Sequence, residues 1–252
     1  MTTYRYSAGE FQETQENHGI LVADSFLVAE GLVRSLDKHL VRFIRQATLK
    51  TPDLISEIPD FLFKALALMP KTGNQFPRLE IQEDKSLKLQ LRPAPELTKT
   101  ATLWTYPEAD PRSDLSVKGP ELDLGTQIRA QAQAIGADEA VILNQDGFIS
   151  EGALSSLVWW EGDTLVAPGN QIPWLESVTR TEIFEIAEKL EIETKTVLAK
   201  PQDLIGKEVW QLSSLQGIRL VTNWIGLTDD FANGNHVEEF EAELNKMLVP
   251  LP

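Results

Sequence analysis

The chain has no cysteine and only three histidines, His18, His39 and His236, among its 252 residues. The first absence removes disulfides, thiolate metal sites and thiol nucleophiles together. The second leaves a histidine metal centre or a Ser-His triad poorly supplied, since the three sit in unrelated surroundings; no metal is expected. Positive charge is scarce too. The 23 Lys and Arg face 38 Asp and Glu, a net charge of −15, and no basic cluster offers a face to a phosphate backbone, which argues against nucleic acid as a partner. Apolar runs are short: no span of about 20 residues suits a membrane, and Met1 to Phe11 carries no apolar leader segment. The expectation is an acidic cytoplasmic protein without a membrane partner. Three generic motifs are also missing, G-x-G-x-x-G, G-x-x-x-x-G-K-[ST] and G-x-S-x-G, so dinucleotide, nucleoside-triphosphate and α/β-hydrolase chemistry start behind.

What is present suffices for a full-sized core, with 42% hydrophobic and 24% charged residues. Leu36, Leu40, Phe43, Ile44 and Ala47 fall at helical spacing, which predicts an amphipathic helix over Leu36 to Lys50. A second helix is expected over Pro52 to Met69, kinked or broken at Pro59. Ser86 to Arg92 alternates as a strand with one apolar face. Between Thr105 and Lys118 the periodicity collapses into prolines and acidic residues, the composition of a connection. This suggests an N-terminal lobe over residues 1–108, a connection over 109–117 and a C-terminal lobe over 118–252. In the second lobe, Leu124, Ile128, Ala132 and Ile135 form a helical stripe capped by Gly136, and Ala140 to Leu143 is a strand. Asp146-Gly147 suits a type I′ hairpin. Strands follow at Ser155 to Trp160 and Thr164 to Ala167, then a helix over Thr179 to Leu190 with Thr179 and Glu182 at capping-box spacing. Strands and helices mixed in two lobes make an α+β fold.

The second half also holds an ordered series. Lys118 stands in Ser-Val-Lys-Gly-Pro-Glu-Leu; then come Gly136-Ala137-Asp138-Glu139-Ala140, Ile149-Ser150-Glu151-Gly152, Leu175-Glu176-Ser177-Val178-Thr179-Arg180 and Ser213-Ser214-Leu215-Gln216-Gly217. The series resembles the fold-type IV pyridoxal-phosphate enzymes: branched-chain and D-amino-acid aminotransferases and aminodeoxychorismate lyases. It is dense from Lys118 to Gly226 and thin over the first hundred residues. The resemblance implies a two-lobed fold like that of D-amino-acid aminotransferase, a pyridoxal 5′-phosphate cofactor, a homodimer, and a small amino or keto acid as substrate.

Carried over residue by residue, Lys118 matches the family's Schiff-base lysine, which must shed its proton and later shuttle protons at substrate carbons. Glu151 matches the carboxylate that keeps the pyridine nitrogen protonated. Ser177, Val178 and Thr179 match the helix start that receives the phosphate on free N–H groups, although Thr179 also reads as a plain N-cap. Leu175 matches an apolar residue against the ring, and an ordinary core leucine would read the same. Ser214 and Leu215 match a turn that offers a hydroxyl and N–H groups to phosphate or substrate carboxylate. In the first half, His39-Leu40-Val41-Arg42-Phe43 resembles the family's H-x-x-R-L helix, whose arginine grips the phosphate; an exposed His-Arg pair is the plainer alternative.

Some positions depart from the pattern. The aromatic-acidic pair before that helix is reduced to Asp24 with Phe26 nearby, Ser156 replaces an Asn, and Ser177 replaces a Gly. The tyrosine that follows the lysine in the branched-chain subgroup is missing. Transamination is the first expectation, with elimination of pyruvate from aminodeoxychorismate as the alternative and a non-catalytic cofactor-binding member as a third reading. Arg34, Arg78, Arg92 and Arg219 are all candidates for the substrate carboxylate, and the sequence does not choose among them.

Overall fold

A computed structural model describes residues 1–169, 171–172 and 174–252. The chain forms two compact units. The first comprises residues 1–97, 117–120 and 247–252, the second residues 98–116 and 121–246. The expected division at 109–117 is therefore corrected: long-range pairing overrides chain order. The short segment around Lys118 joins the first unit through Ala23, whose N–H donates to the Lys118 carbonyl at 2.6 Å. Leu248–Pro250 pairs with Leu32–Arg34, while Thr100–Thr105 pairs with Gly217–Ile225 and Glu139–Leu143.

In the first unit, a five-stranded antiparallel sheet runs in the order Glu10–Glu13, Thr2–Ser7, Leu87–Leu91, Arg78–Gln82, Ile20–Ser25. Helix α1, Leu36–Lys50, has the bounds its periodicity predicts. Its buried face differs. Ile44 is exposed, and His39, Arg42 and Gln46 are buried beside Phe43 and Ala47. Such a face is stable only if the polar groups find partners, and the site below supplies them. Helix α2 is Ile58–Leu68, with Pro59 in its first turn, where a missing N–H costs nothing. A separate 3-10 turn over Pro52–Leu54 replaces the expected single helix. Phe43, Phe61 and Tyr6 join the helices to the sheet, the Phe43 and Phe61 rings 6.2 Å apart. Leu87–Leu91 is covered on both faces, because Lys88 is fully buried and donates to the Glu16 carbonyl at 2.5 Å.

The second unit is built on an eight-stranded mixed sheet, in the order Ile149–Gly152, Glu139–Leu143, Thr100–Thr105, Gly217–Ile225, Val209–Ser213, Ser156–Glu161, Thr164–Pro168, Thr194–Val197. Thr100–Thr105 runs parallel to Glu139–Leu143, a pairing that requires a crossover, and α3, Leu122–Ala134, lies on that connection. Ile128 and Ala132 of α3 pack on Ala140 and Ile142. The turn at Asp146-Gly147 is not type I′: only Gly147 has positive φ, at 81°, and its N–H closes a turn onto the Asn144 carbonyl at 3.0 Å. A register shift after Ile142 absorbs the extra residue. Helix α4 is Val178–Lys189, and α5, Val237–Asn245, buries Phe240 against Trp210, with ring centroids 5.1 Å apart.

Candidate active-site clusters

The first unit gathers buried charge around Asp24, at the end of strand Ile20–Ser25. Arg42 grips this carboxylate with two donors, Nε to Oδ2 at 2.7 Å and Nη2 to Oδ1 at 2.8 Å, and His39 Nδ1 stands 2.8 Å from Oδ1. Burial would raise the Asp24 carboxyl; Arg42 and His39 reverse this and hold it well below the usual carboxylate range. The arginine expected to grip a phosphate has two of its donors on a carboxylate of the chain, and the plain reading of His39 and Arg42 as an exposed pair is overturned, since both are buried.

Lys118 belongs to the same unit. Its main chain is held on both sides, the carbonyl by Ala23 and the N–H by Gln46 Oε1 at 3.2 Å. Gly119 follows because nothing larger fits: a Cβ there would lie 2.4 Å from the Leu21 carbonyl oxygen. The Lys118 side chain is half-buried, but protein packed around the amine strips most of its hydration. Burial first, then repulsion from Arg42, Arg92 and Arg78, bring its pKa down to about 8, with Asp24 pulling the other way. An amine so placed is available as a nucleophile and a base near neutral pH.

Of the four arginines the sequence left open, three are engaged. Arg78 pairs with Glu80 at 2.5 Å, Arg219 pairs with Asp138 at 2.9 Å, and Arg34 also has a partner. Arg92 has only neutral acceptors among the described residues, the Phe76 carbonyl at 3.0 Å and Ser25 Oγ at 3.2 Å, with the Phe76 ring 5.1 Å from its guanidinium. Burial and Arg78 pull its pKa down to about 10.

The second unit holds the remaining residues. Glu151, on Ile149–Gly152, is buried and pairs with Arg112 at 3.0 Å, and the Leu175 N–H is shared between its two oxygens at 3.3 Å each. Burial pushes the Glu151 carboxyl up to about 7 against the pull of Arg112. Burial also works against the Arg112 charge, but Asp110 and Glu151 outweigh it and raise the guanidinium pKa above its ordinary value. Leu175 therefore contributes a main-chain donor to Glu151, and its side chain is only half-buried.

At the start of α4, Ser177 is the N-cap; its hydroxyl accepts from the Arg180 N–H at 3.2 Å, so the expected Thr179-Glu182 capping box does not form. Ser177 has φ of −103°, an ordinary conformation, so the replaced glycine carries no backbone penalty. Val178 and Thr179 are buried in the first helical turn, where N–H groups have no helical acceptor. Arg180 is buried over the Trp174 ring at 4.0 Å and donates to the Pro168 carbonyl at 3.1 Å. Ser214 and Leu215 lie in the turn after Val209–Ser213, where Ser213 Oγ accepts from the Gln216 N–H at 3.1 Å; Leu215 is buried and Ser214 half-buried.

Sequence reasoning missed three of these residues. Arg112 was hidden in a proline-rich stretch read as a connection, and Gln46 fell outside the apolar stripe of its helix. Arg180 lay in a quoted motif without a role. The signal for Arg112 in the sequence is its place between Asp110 and Asp114, and it is a weak one.

Comparisons with known proteins show the family. The family profile described as amino-transferase class IV matches residues 21–224. An aminodeoxychorismate lyase of Bacillus subtilis (strain 168) is 27% identical, over 79% of this chain and 75% of its own. A branched-chain aminotransferase of the archaeon Thermoproteus uzoniensis, solved with norvaline, superposes with a TM-score of 0.82 at 17% identity, covering 100% of both chains. An aminotransferase of Brucella abortus bound to PLP superposes with a TM-score of 0.75 at 16% identity, over 98% of this chain and 99% of its own. With a match that spans most of its length, and the α+β fold of these structures, the chain belongs to the class IV aminotransferase family, a family of pyridoxal-phosphate-dependent enzymes that includes aminodeoxychorismate lyases.

Proposed function

We propose that the protein is a pyridoxal-phosphate-dependent aminotransferase that moves an amino group between an amino acid, or a related amine, and a 2-keto acid, with Lys118 as the reactive amine. The observation that carries this reading is the state of Lys118: half-buried, pinned by its main chain, and with a pKa brought down to about 8. The residues present fit the cofactor. Lys118 would hold its aldehyde carbon, the buried carboxylate of Glu151 suits a protonated ring nitrogen, and the α4 start at Ser177, Val178 and Thr179, with Ser214 and Leu215, suits the phosphate. When bound, the cofactor supplies an electron-withdrawing ring that stabilises negative charge at the substrate α-carbon. Lys118 would take the proton from the substrate α-carbon and deliver it to the cofactor's former aldehyde carbon, and Arg112 pulls the buried Glu151 toward its ionised form.

Arg92 is the arginine we assign to the substrate carboxylate, since it is half-buried with only neutral acceptors among the described residues, whereas Arg78 and Arg219 are held by carboxylates of the chain. A charge-assisted fork of this kind stabilises a bound carboxylate by about 1.5–3 kcal/mol. Arg92→Gln is accordingly expected to raise KM for carboxylate substrates roughly 10- to 100-fold while kcat moves less; steady-state kinetics with an amino acid and its decarboxylated amine would show this, and equal losses on both would remove the assignment.

A second reading, elimination of pyruvate from aminodeoxychorismate to give 4-aminobenzoate, is favoured by the Bacillus subtilis relative. One experiment tests both. The purified chain is mixed with pyridoxal phosphate, reduced with borohydride, and mapped. A visible band and a pyridoxyl adduct on Lys118 are expected, and an adduct elsewhere would defeat the reading. The unreduced holoenzyme is then given amino donors with keto acids, or aminodeoxychorismate; a new keto acid supports amino transfer, and 4-aminobenzoate with pyruvate supports the lyase.

A further inference from the structure

Gln46 lies one helical turn beyond Arg42 on the same buried face of α1, and its carboxamide is almost fully enclosed. Its Oε1 accepts the Lys118 N–H at 3.2 Å. This bond sets the orientation of the amide, because exchanging oxygen and nitrogen would set two donors against each other. Nε2 is then buried without a hydrogen-bond partner among the described residues. An apolar side chain of similar length would avoid that desolvation cost, so a residue serving only the core has no reason to be glutamine here. What the amide does accomplish is to complete a clamp. Ala23 holds the Lys118 carbonyl from strand Ile20–Ser25, Gln46 holds its N–H from α1, and Gly119 lets the chain press against Leu21 and Val22.

We infer that Gln46 is a positioning residue for Lys118: it fixes the lysine main chain against α1 so that the amine presents one geometry to its reaction partner. This rests on the reading of Lys118 as the reactive amine, but the clamp itself can be measured without the cofactor. Positional precision of this kind governs rate more than affinity, since a small misplacement of the reacting atom is costly.

The test uses Gln46→Met, which preserves length and removes the acceptor, and Gln46→Glu, which keeps an oxygen for the Lys118 N–H. In the cofactor-free chain, amide exchange at Lys118 is expected to quicken roughly tenfold in Gln46→Met, the equivalent of one ordinary hydrogen bond, and to stay near wild type in Gln46→Glu. After pyridoxal phosphate is added, borohydride-trapped incorporation at Lys118 should slow by about the same factor in Gln46→Met, with KM for the amino donor little changed. In Gln46→Glu the pH profile of incorporation should move to higher pH, because a nearby carboxylate favours the ammonium form. Unchanged exchange in a folded Gln46→Met overturns the inference. If that variant does not fold, a Gln46→Glu chain with lost protection and an unmoved pH profile overturns it equally. Failure of wild type to take pyridoxal phosphate on Lys118 would instead strike the proposed function, and the exchange result would stand apart from it.

Discussion

Lys118→Ala is expected to lower turnover by about 10⁴-fold or more, beyond what loss of a single acid-base step removes, and to abolish the borohydride-trapped adduct. The wild-type profile carries a matching expectation. The neutral amine is the nucleophile, and burial, Arg42 and the other nearby arginines favour it, so incorporation of pyridoxal phosphate should rise with pH and level off near 8 rather than near the 10.5 of an ordinary lysine. The same shift has a stability consequence of fixed sign. Between pH 8 and 10.5 the unfolded chain binds a proton at this lysine that the folded chain has released, so this group makes stability rise with pH over that window and penalises the fold below it. Lys118→Met should therefore melt higher than wild type at pH 6, with the gap closing above pH 10.5. A variant that loses activity and stability together at pH 6 would mean that Lys118 is structural. Turnover retained within tenfold would remove it from the chemistry altogether.

The largest loss of stability is expected from Asp24→Ala. That change leaves Arg42 and His39 buried with their shared carboxylate gone, and breaking a buried pair by deleting one partner costs about 3–5 kcal/mol, on the order of 10 °C in melting temperature for a chain of this size. Asp24→Asn keeps the shape and loses the charge, so it should fall between the two. The pH dependence follows from the lowered pKa of Asp24: its contribution is complete above the ordinary carboxylate value of 3.8 and is lost as pH falls through the depressed one. The difference in melting temperature between wild type and Asp24→Asn should thus be constant near neutrality and narrow only in strong acid. Removing the Asp24 charge also removes an attraction that favours the Lys118 ammonium, so incorporation of pyridoxal phosphate by Asp24→Asn should level off at lower pH than in wild type. A melting difference within 1–2 °C, the scale of an ordinary surface substitution, would show that the Asp24, His39 and Arg42 contacts stabilise little.

Much of this protein was legible in the sequence because much of it is local. Helix α1 emerges at Leu36–Lys50 as its spacing predicts, the strands after Ser155 lie within a residue of their expected places, and the order of motifs from Lys118 to Gly217 pointed to the family that the comparisons show. Local pattern also misled where a partner distant in the chain decides the outcome. Periodicity put Ile44 in the core, yet the stable face of α1 is the one that brings His39, Arg42 and Gln46 to Asp24 and Lys118. The hairpin residues Asp146-Gly147 were recognised, but the pairing of Leu143 with Ile149 selected a turn with only one positive φ. Thr179 and Glu182 have the spacing of a cap, but Ser177 stands where the helix begins.

What the sequence determined by itself was therefore the α+β class, the absence of thiol chemistry, the extent of most helices and strands, and the identity of the candidate lysine and carboxylate. All of these depend on residue type and short spacings. Only the tertiary structure decided which groups are charged, paired or left open: that Arg42 grips Asp24, that Arg112 pairs with Glu151, that Arg92 has only neutral acceptors among the described residues, and that Lys118 belongs to the first unit. The reason is physical. Desolvation and Coulomb interaction depend on what surrounds a group in space, and folding brings together residues such as Gln46 and Lys118 that nothing in the linear chain relates.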